Sequence, residues 1–223
     1  MSNFDIKDLI NCKYNIDGDY NDVSNSSQYI ESSILDNVSP FNIYLNYLYP
    51  LDDEDKSIIQ SAIDKWKSII LLKTSSNSFD LTISVYYYSN SPGVLAAARV
   101  DTINSSGIPL TGSLYINSDN WVSQKSFIKE DGNSQAYYTI LHELGHLLGI
   151  GTLWSHLVSD NFYIGQYGVR EYRNLLHQPN LTGIPIEDDG GDGTAGGHFE
   201  EGAEFVTSNN TRYDNGHFHT GLD

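Results

Sequence analysis

Apolar and polar residues alternate from Phe41 to Tyr47, so that Phe41, Ile43, Leu45 and Tyr47 share one side. A two-residue period predicts a strand with one buried face. Pro50 ends that run, and Asp52 is placed to cap a helix from Lys56 to Leu72. In it Ile59, Ala62, Ile63, Trp66, Ile69 and Ile70 recur at three- and four-residue spacing, the mark of a core-facing stripe. Leu81, Ile83, Val85 and Tyr87 alternate as a second strand. Ser91-Pro-Gly93 reads as a turn, and Val94–Val100 and Ser113–Asn117 read as further short strands.

A second helix follows, capped by Asn133 or Ser134, with Tyr137, Leu141, Leu144 and Leu148 on its apolar side. Gly149 can stop it in a left-handed turn. Beyond Leu148 lie 223 − 148 = 75 residues rich in Gly, Asn and Asp, with a helical stretch at Val169–Leu176. Residues 1–40 are polar and show no sustained period, so they read as an extension, partly disordered or a pro-segment. The order strand, helix, three strands, helix predicts an α+β domain over 41–223.

Composition narrows the partners. A net charge of −17 argues against nucleic acid, because phosphate binding needs Lys and Arg to displace counterions. No apolar run approaches the roughly 20 residues needed to span a bilayer. The start, Met1 to Asn15, lacks a basic stretch followed by an apolar one, so no secretory signal is read there; a cytoplasmic chain is the default expectation, a secreted one if a leader was removed, and the compartment stays open. The one cysteine, Cys12, excludes an internal disulfide framework and reads as a plain cysteine of a polar tail.

The second helix carries chemistry. His142-Glu-Leu-Gly-His146 sets two imidazoles four apart, on one helical face and one turn from each other. Their ring nitrogens can reach one zinc ion at about 2.0–2.1 Å. Glu143 lies beside them, able to take a proton from an activated water and hand it to a leaving amine. Three protein ligands leave one coordination position for water. The histidines downstream are His156, His177, His198, His217 and His219. His156 follows too closely and His177 sits in a helical stretch. His198, in a run of small residues that lets the backbone come near an ion, is favoured over the two near the end. The acidic loop Glu187–Asp192 offers hard oxygen ligands of the kind calcium takes, but it lacks EF-hand spacing and reads first as a solvated turn.

The run His142 to Trp154, the blocks Gly93-Val-Leu-Ala-Ala-Ala98 and Ile108 to Asn117, the pieces Tyr163-Ile-Gly165 and Ile184-Pro-Ile-Glu187, and Gly190 to Phe199 occur in the order found in leishmanolysin-like peptidases of the metzincin clan. Over about residues 41–208 the chain resembles that family. The resemblance implies a twisted mixed sheet with two main helices, the second bearing His-Glu-x-x-His, and a loop-rich C-terminal part. It also implies His198 as the third zinc ligand, 198 − 146 = 52 positions after the second. The implied activity is a zinc metalloendopeptidase acting on protein or peptide substrates, with Glu143 activating the water. A substrate would lie extended along Val94–Arg99. The family's methionine turn has no methionine here, since Met1 is the sole one; either Val206 takes that place or the turn lies beyond Asp223. That departure motivates an alternative reading, a zinc-binding relative that no longer cleaves and acts as a binding or structural module.

Overall fold

A computed structural model describes residues 41–70, 79–89, 94–188 and 194–200, together with the backbone of 204–206 and 212–214. The polar extension with Cys12, the Ser91-Pro-Gly93 turn, His217 and His219 fall outside the described residues.

Four strands form the main sheet: β1 (Phe41–Tyr47), β2 (Phe79–Tyr88), β3 (Ala96–Ile103) and β4 (Pro109–Asn117), in the order β1-β2-β4-β3. β1 pairs with β2 and β2 with β4 in parallel, whereas β3 runs antiparallel along β4, so the sheet is mixed and β3 is an edge. Helices α1 (Asp53–Ile69), α2 (Ser118–Ser126), α3 (Gln135–Leu147) and α4 (Gln166–Leu176) complete the described helical content, apart from a short 3-10 turn at Ser155–Leu157. The C-terminal part adds short strands β5 (Val158–Ser159), β6 (Phe162–Tyr163) and β7 (Ile184–Pro185), and a pair β8 (Glu204–Val206) and β9 (Arg212–Asp214). The α+β expectation holds at this level. No described helix is long and apolar enough to cross a membrane.

The inner face of the sheet does what its alternation predicts. Leu81, Ile83, Val85, Leu114 and Ile116 are buried against Ile59, Ala62 and Ile63 of α1 and Ile140, Leu144 and Leu147 of α3. Each fully buried aliphatic side chain contributes about 1.5–3 kcal/mol relative to exposure. Gly112 of β4 lets α3 close on the sheet: a Cβ there would meet Leu147 at 2.4 Å. Trp66 ties the two helices together, its indole donating to the Leu141 carbonyl at 2.9 Å.

Several boundaries differ from expectation: one edge strand runs Ala96–Ile103 rather than Val94–Val100, and its neighbour starts at Pro109 rather than Ser113. Asp52 caps α1 as expected, its side chain accepting from the Asp55 amide at 2.7 Å, so the helix begins at Asp53 with an acidic first turn that suits its N-terminus. It stops at Ile69, where Ile70 turns to extended backbone, short of Leu72. Val206, a candidate for the methionine-turn position, lies on β8, paired to β9.

The start of α1 is locked by one buried carboxylate. Asp55 accepts from Tyr87 Oη at 2.6 Å, Trp121 Nε1 at 2.7 Å and Lys125 Nζ at 2.8 Å. Burial alone would raise its pKa, but the hydrogen bonds from Lys125, Tyr87 and Trp121 and the Lys125 charge hold it below the usual carboxylate range. A group with a depressed folded pKa contributes stability above its unfolded value of about 3.9 and loses it as pH falls through the folded value. Asp55→Ala is therefore expected to cost about 3 kcal/mol at pH 7, since it leaves the buried Trp121 N–H and the Tyr87 hydroxyl without their acceptor, while Lys125 keeps Glu54 at 2.7 Å. Urea unfolding of parent and variant should show that difference shrinking as the pH drops below about 4.

Candidate metal centre

α3 is built to present its histidines at its end. Ser134 caps it, its Oγ accepting from the Tyr137 amide at 3.2 Å. At the other end the Ile150 amide donates to the Gly145 carbonyl and the Gly149 amide to the His146 carbonyl, both at 3.0 Å. Gly149 at φ +103° provides the left-handed residue this terminating motif requires. The turn also delivers the Ile150 carbonyl to His146 Nδ1, at 2.9 Å. Thr152 closes the exit, donating from its hydroxyl to the His146 carbonyl at 2.6 Å.

His198 arrives from the opposite side. The Glu187 amide donates to the His198 carbonyl at 3.1 Å, the Gly196 amide to the Glu187 carbonyl at 2.8 Å, and the Glu200 amide to the Pro185 carbonyl at 3.0 Å. These bonds, with the bridge between Ile186 and Phe199, lay the histidine segment against the strand region 184–187. Beneath it sits a second apolar cluster of Val169, Tyr172, Leu176 and Ile184, with Phe199 packed on it. Gly151, at φ +76°, is required by the approach of the two segments, because a Cβ there would meet the Gly197 carbonyl oxygen at 2.0 Å.

The three Nε2 atoms converge. They stand 3.0 Å apart for His142 and His146, 3.0 Å for His146 and His198, and 3.1 Å for His142 and His198. Ligand atoms around a tetrahedral zinc at about 2.0–2.1 Å lie roughly 3.3 Å from one another, so the triangle is close to that size and slightly tight. The far side of two rings explains their orientation. His146 Nδ1 faces the Ile150 carbonyl and His198 Nδ1 faces the Thr194 carbonyl at 3.1 Å. A carbonyl only accepts, so each Nδ1 carries the proton and each Nε2 turns a lone pair inward. Lone pairs this close repel unless a cation lies between them. The donor set therefore fits a metal ion, and these three form the one group of clustered imidazoles among the described residues.

Glu143 is 7% exposed, and its carboxylate makes no hydrogen bond or ion pair with the described residues. Burial pushes its pKa up to about 8. A cation held by the adjacent imidazoles would oppose that shift, since opposite charge favours the ionised form.

The other candidates separate. His156 is exposed in the 3-10 turn, and His177 is exposed at the left-handed C-cap of α4; neither joins the group. Calcium at Glu187–Asp192 finds no support. Glu187 is buried, Asp188 accepts from Asn161 Nδ2 at 3.2 Å, and residues 189–193 lie outside the described residues. Another carboxylate group, Asp52, Glu54 and Asp55, already surrounds Lys125 Nζ at 3.7, 2.7 and 2.8 Å. Sequence reasoning missed the supporting residues Ile150, Gly151 and Trp154. The one local signal was the glycine pair Gly149 and Gly151 flanking Ile150 at the helix exit.

No family model matches the chain. Over 110 residues, 46% of its length, it is 31% identical to Metalloendoproteinase 2-MMP of Arabidopsis thaliana. The match spans 29% of the plant protein's length. Partial likeness to a metalloendoproteinase and a three-histidine group able to hold a metal thus occur in the same chain.

Proposed function

We propose that the chain is a zinc-dependent metalloendopeptidase of the leishmanolysin-like type within the metzincin clan, with residues 41–223 as its catalytic unit. The observation that carries this reading is the convergence of His142, His146 and His198 Nε2 within 3.1 Å, beside a buried carboxylate with no described partner. The partial identity to a plant metalloendoproteinase supports the same reaction class. Blocks characteristic of the leishmanolysin-like group, from His142 through His198, support the narrower assignment.

His142, His146 and His198 would hold the zinc, and their Nδ1 partners keep the rings turned to it. Bound there, zinc supplies a Lewis acid that polarises the scissile carbonyl and acidifies water. Glu143 accepts the proton of the attacking water on its carboxylate and returns it to the amine of the leaving peptide. Its burial keeps bulk water from competing for that proton. β3 supplies the substrate's docking edge. As the outer strand it offers main-chain groups to an extended peptide, and the exposed Ala97 leaves the approach uncrowded.

Incubation with unfolded casein tests the reading. Internal cleavage should stop when a chelator strips the metal and return when zinc is restored. Cleavage that continues undiminished in the metal-free protein would rule out a metallopeptidase.

A further inference from the structure

The two halves of the metal site belong to different parts of the fold. His142 and His146 ride on α3, anchored in the main core, while His198 hangs on the 184–187 strand region and its own small cluster. Thr194–Glu200 contains Ala195, Gly196 and Gly197, which bring little side-chain packing and much backbone freedom. Something must set the distance between the halves before a metal does.

The residue in place to do so is Trp154, eight positions after His146 (154 − 146 = 8) in the segment leaving α3. It is 6% exposed, and its indole Nε1 donates to the Gly196 carbonyl at 2.9 Å, two residues before His198. Its ring meets Phe199, immediately after His198, at 5.1 Å between centroids, and Tyr163 at 5.1 Å. One side chain from the helix exit therefore grips the third-ligand segment on both sides of the histidine. It also lines an apolar cavity of about 260 Å³ with Trp66, Leu148, Ile150 and Leu153. A hydrogen bond made beside so apolar a surface is worth more than one in water.

We infer that Trp154 is a positioning residue that sets His198 at ligand distance from His142 and His146 before metal binds. The inference rests on the reading of the three histidines as a metal site. It assigns Trp154 no contact with metal or substrate. Its effect passes through the Gly196 carbonyl and the Phe199 ring to the imidazole between them.

The test is a double-mutant cycle read as zinc affinity, measured by competition with a chromophoric chelator, with the visible spectrum of the cobalt(II) form as a second readout. Trp154→Phe keeps an aromatic ring against Tyr163 and Phe199 but removes the N–H. It should weaken zinc binding about 10–100-fold, as loss of an outer partner of a ligand does, and alter the cobalt spectrum. In a His198→Ala background the same substitution should change affinity less than about 2-fold, because the group it acts through is gone. Phe199→Leu, which loosens the grip from the other side, should give the same pattern, so the test does not depend on one variant folding. Unchanged zinc affinity in Trp154→Phe, or an equal loss with and without His198, overturns the positioning role. If His198→Ala alone leaves zinc affinity intact, His198 is not a ligand, and the three-histidine reading on which the inference rests fails whatever Trp154 does.

Discussion

Glu143→Ala is expected to slow cleavage of unfolded casein by about 10²–10⁴-fold, the range that a positioned general base supplies, while zinc content stays at the parent level. The separation of the two readouts follows from where the side chain sits. Glu143 lies on the ligand-bearing turn of α3 but is not one of the three clustered imidazoles, so its removal deletes a proton acceptor and spares the donor set. Glu143 is buried without a described hydrogen-bond partner, so no neighbour stands ready to replace it. Equal rates for variant and parent, at equal zinc occupancy, would remove Glu143 from the chemistry. They would favour the alternative reading, a zinc-binding module without proteolysis.

The second large effect is expected from His198→Ala. Removing a direct ligand should weaken zinc binding by more than the roughly 10–100-fold typical of a lost outer-sphere partner, and cleavage should fall with it. The remaining pair, His142 and His146, still lie 3.0 Å apart, so residual weak binding is expected rather than none. The fold should survive. His198 is half-buried in a surface segment, and the apolar clusters that hold the sheet and α4 do not include it. Full zinc affinity in this variant would shift the third ligand elsewhere in the chain.

What could be read from the sequence divides along the range of the interactions involved. α3 and the sheet strands were legible, because their apolar residues recur with the period of one element and one burial face decides each. The two histidines on α3 were legible for the same reason, since four-residue spacing is a local geometric fact. α2 was not foreseen. Its nine residues carry only Trp121 and Val122 as large apolar side chains, with Trp121 buried and Val122 71% exposed, so no stripe forms. Its start depends instead on Asn117, whose side chain accepts from the Asp119 amide at 3.1 Å. α4 was foreseen in its second half, and the structure extends it back to Gln166.

His198 shows the limit most clearly. Spacing alone favoured it without excluding the histidines near the end, and resemblance to known peptidases singled it out. The contacts that bring it to α3 span separations of 42 residues for Trp154 to Gly196 and 52 for the imidazoles themselves. No periodicity carries that information, because the approach depends on a hydrogen bond, a ring contact and a missing Cβ at Gly151 acting together.

X-ray absorption at the zinc edge of the purified, metal-loaded chain addresses the three-histidine centre directly. The expected result is one zinc per chain with three imidazole nitrogens at about 2.0–2.1 Å and one oxygen completing the set. Zinc that is not retained, or a spectrum with fewer than three imidazoles around it, would contradict the site.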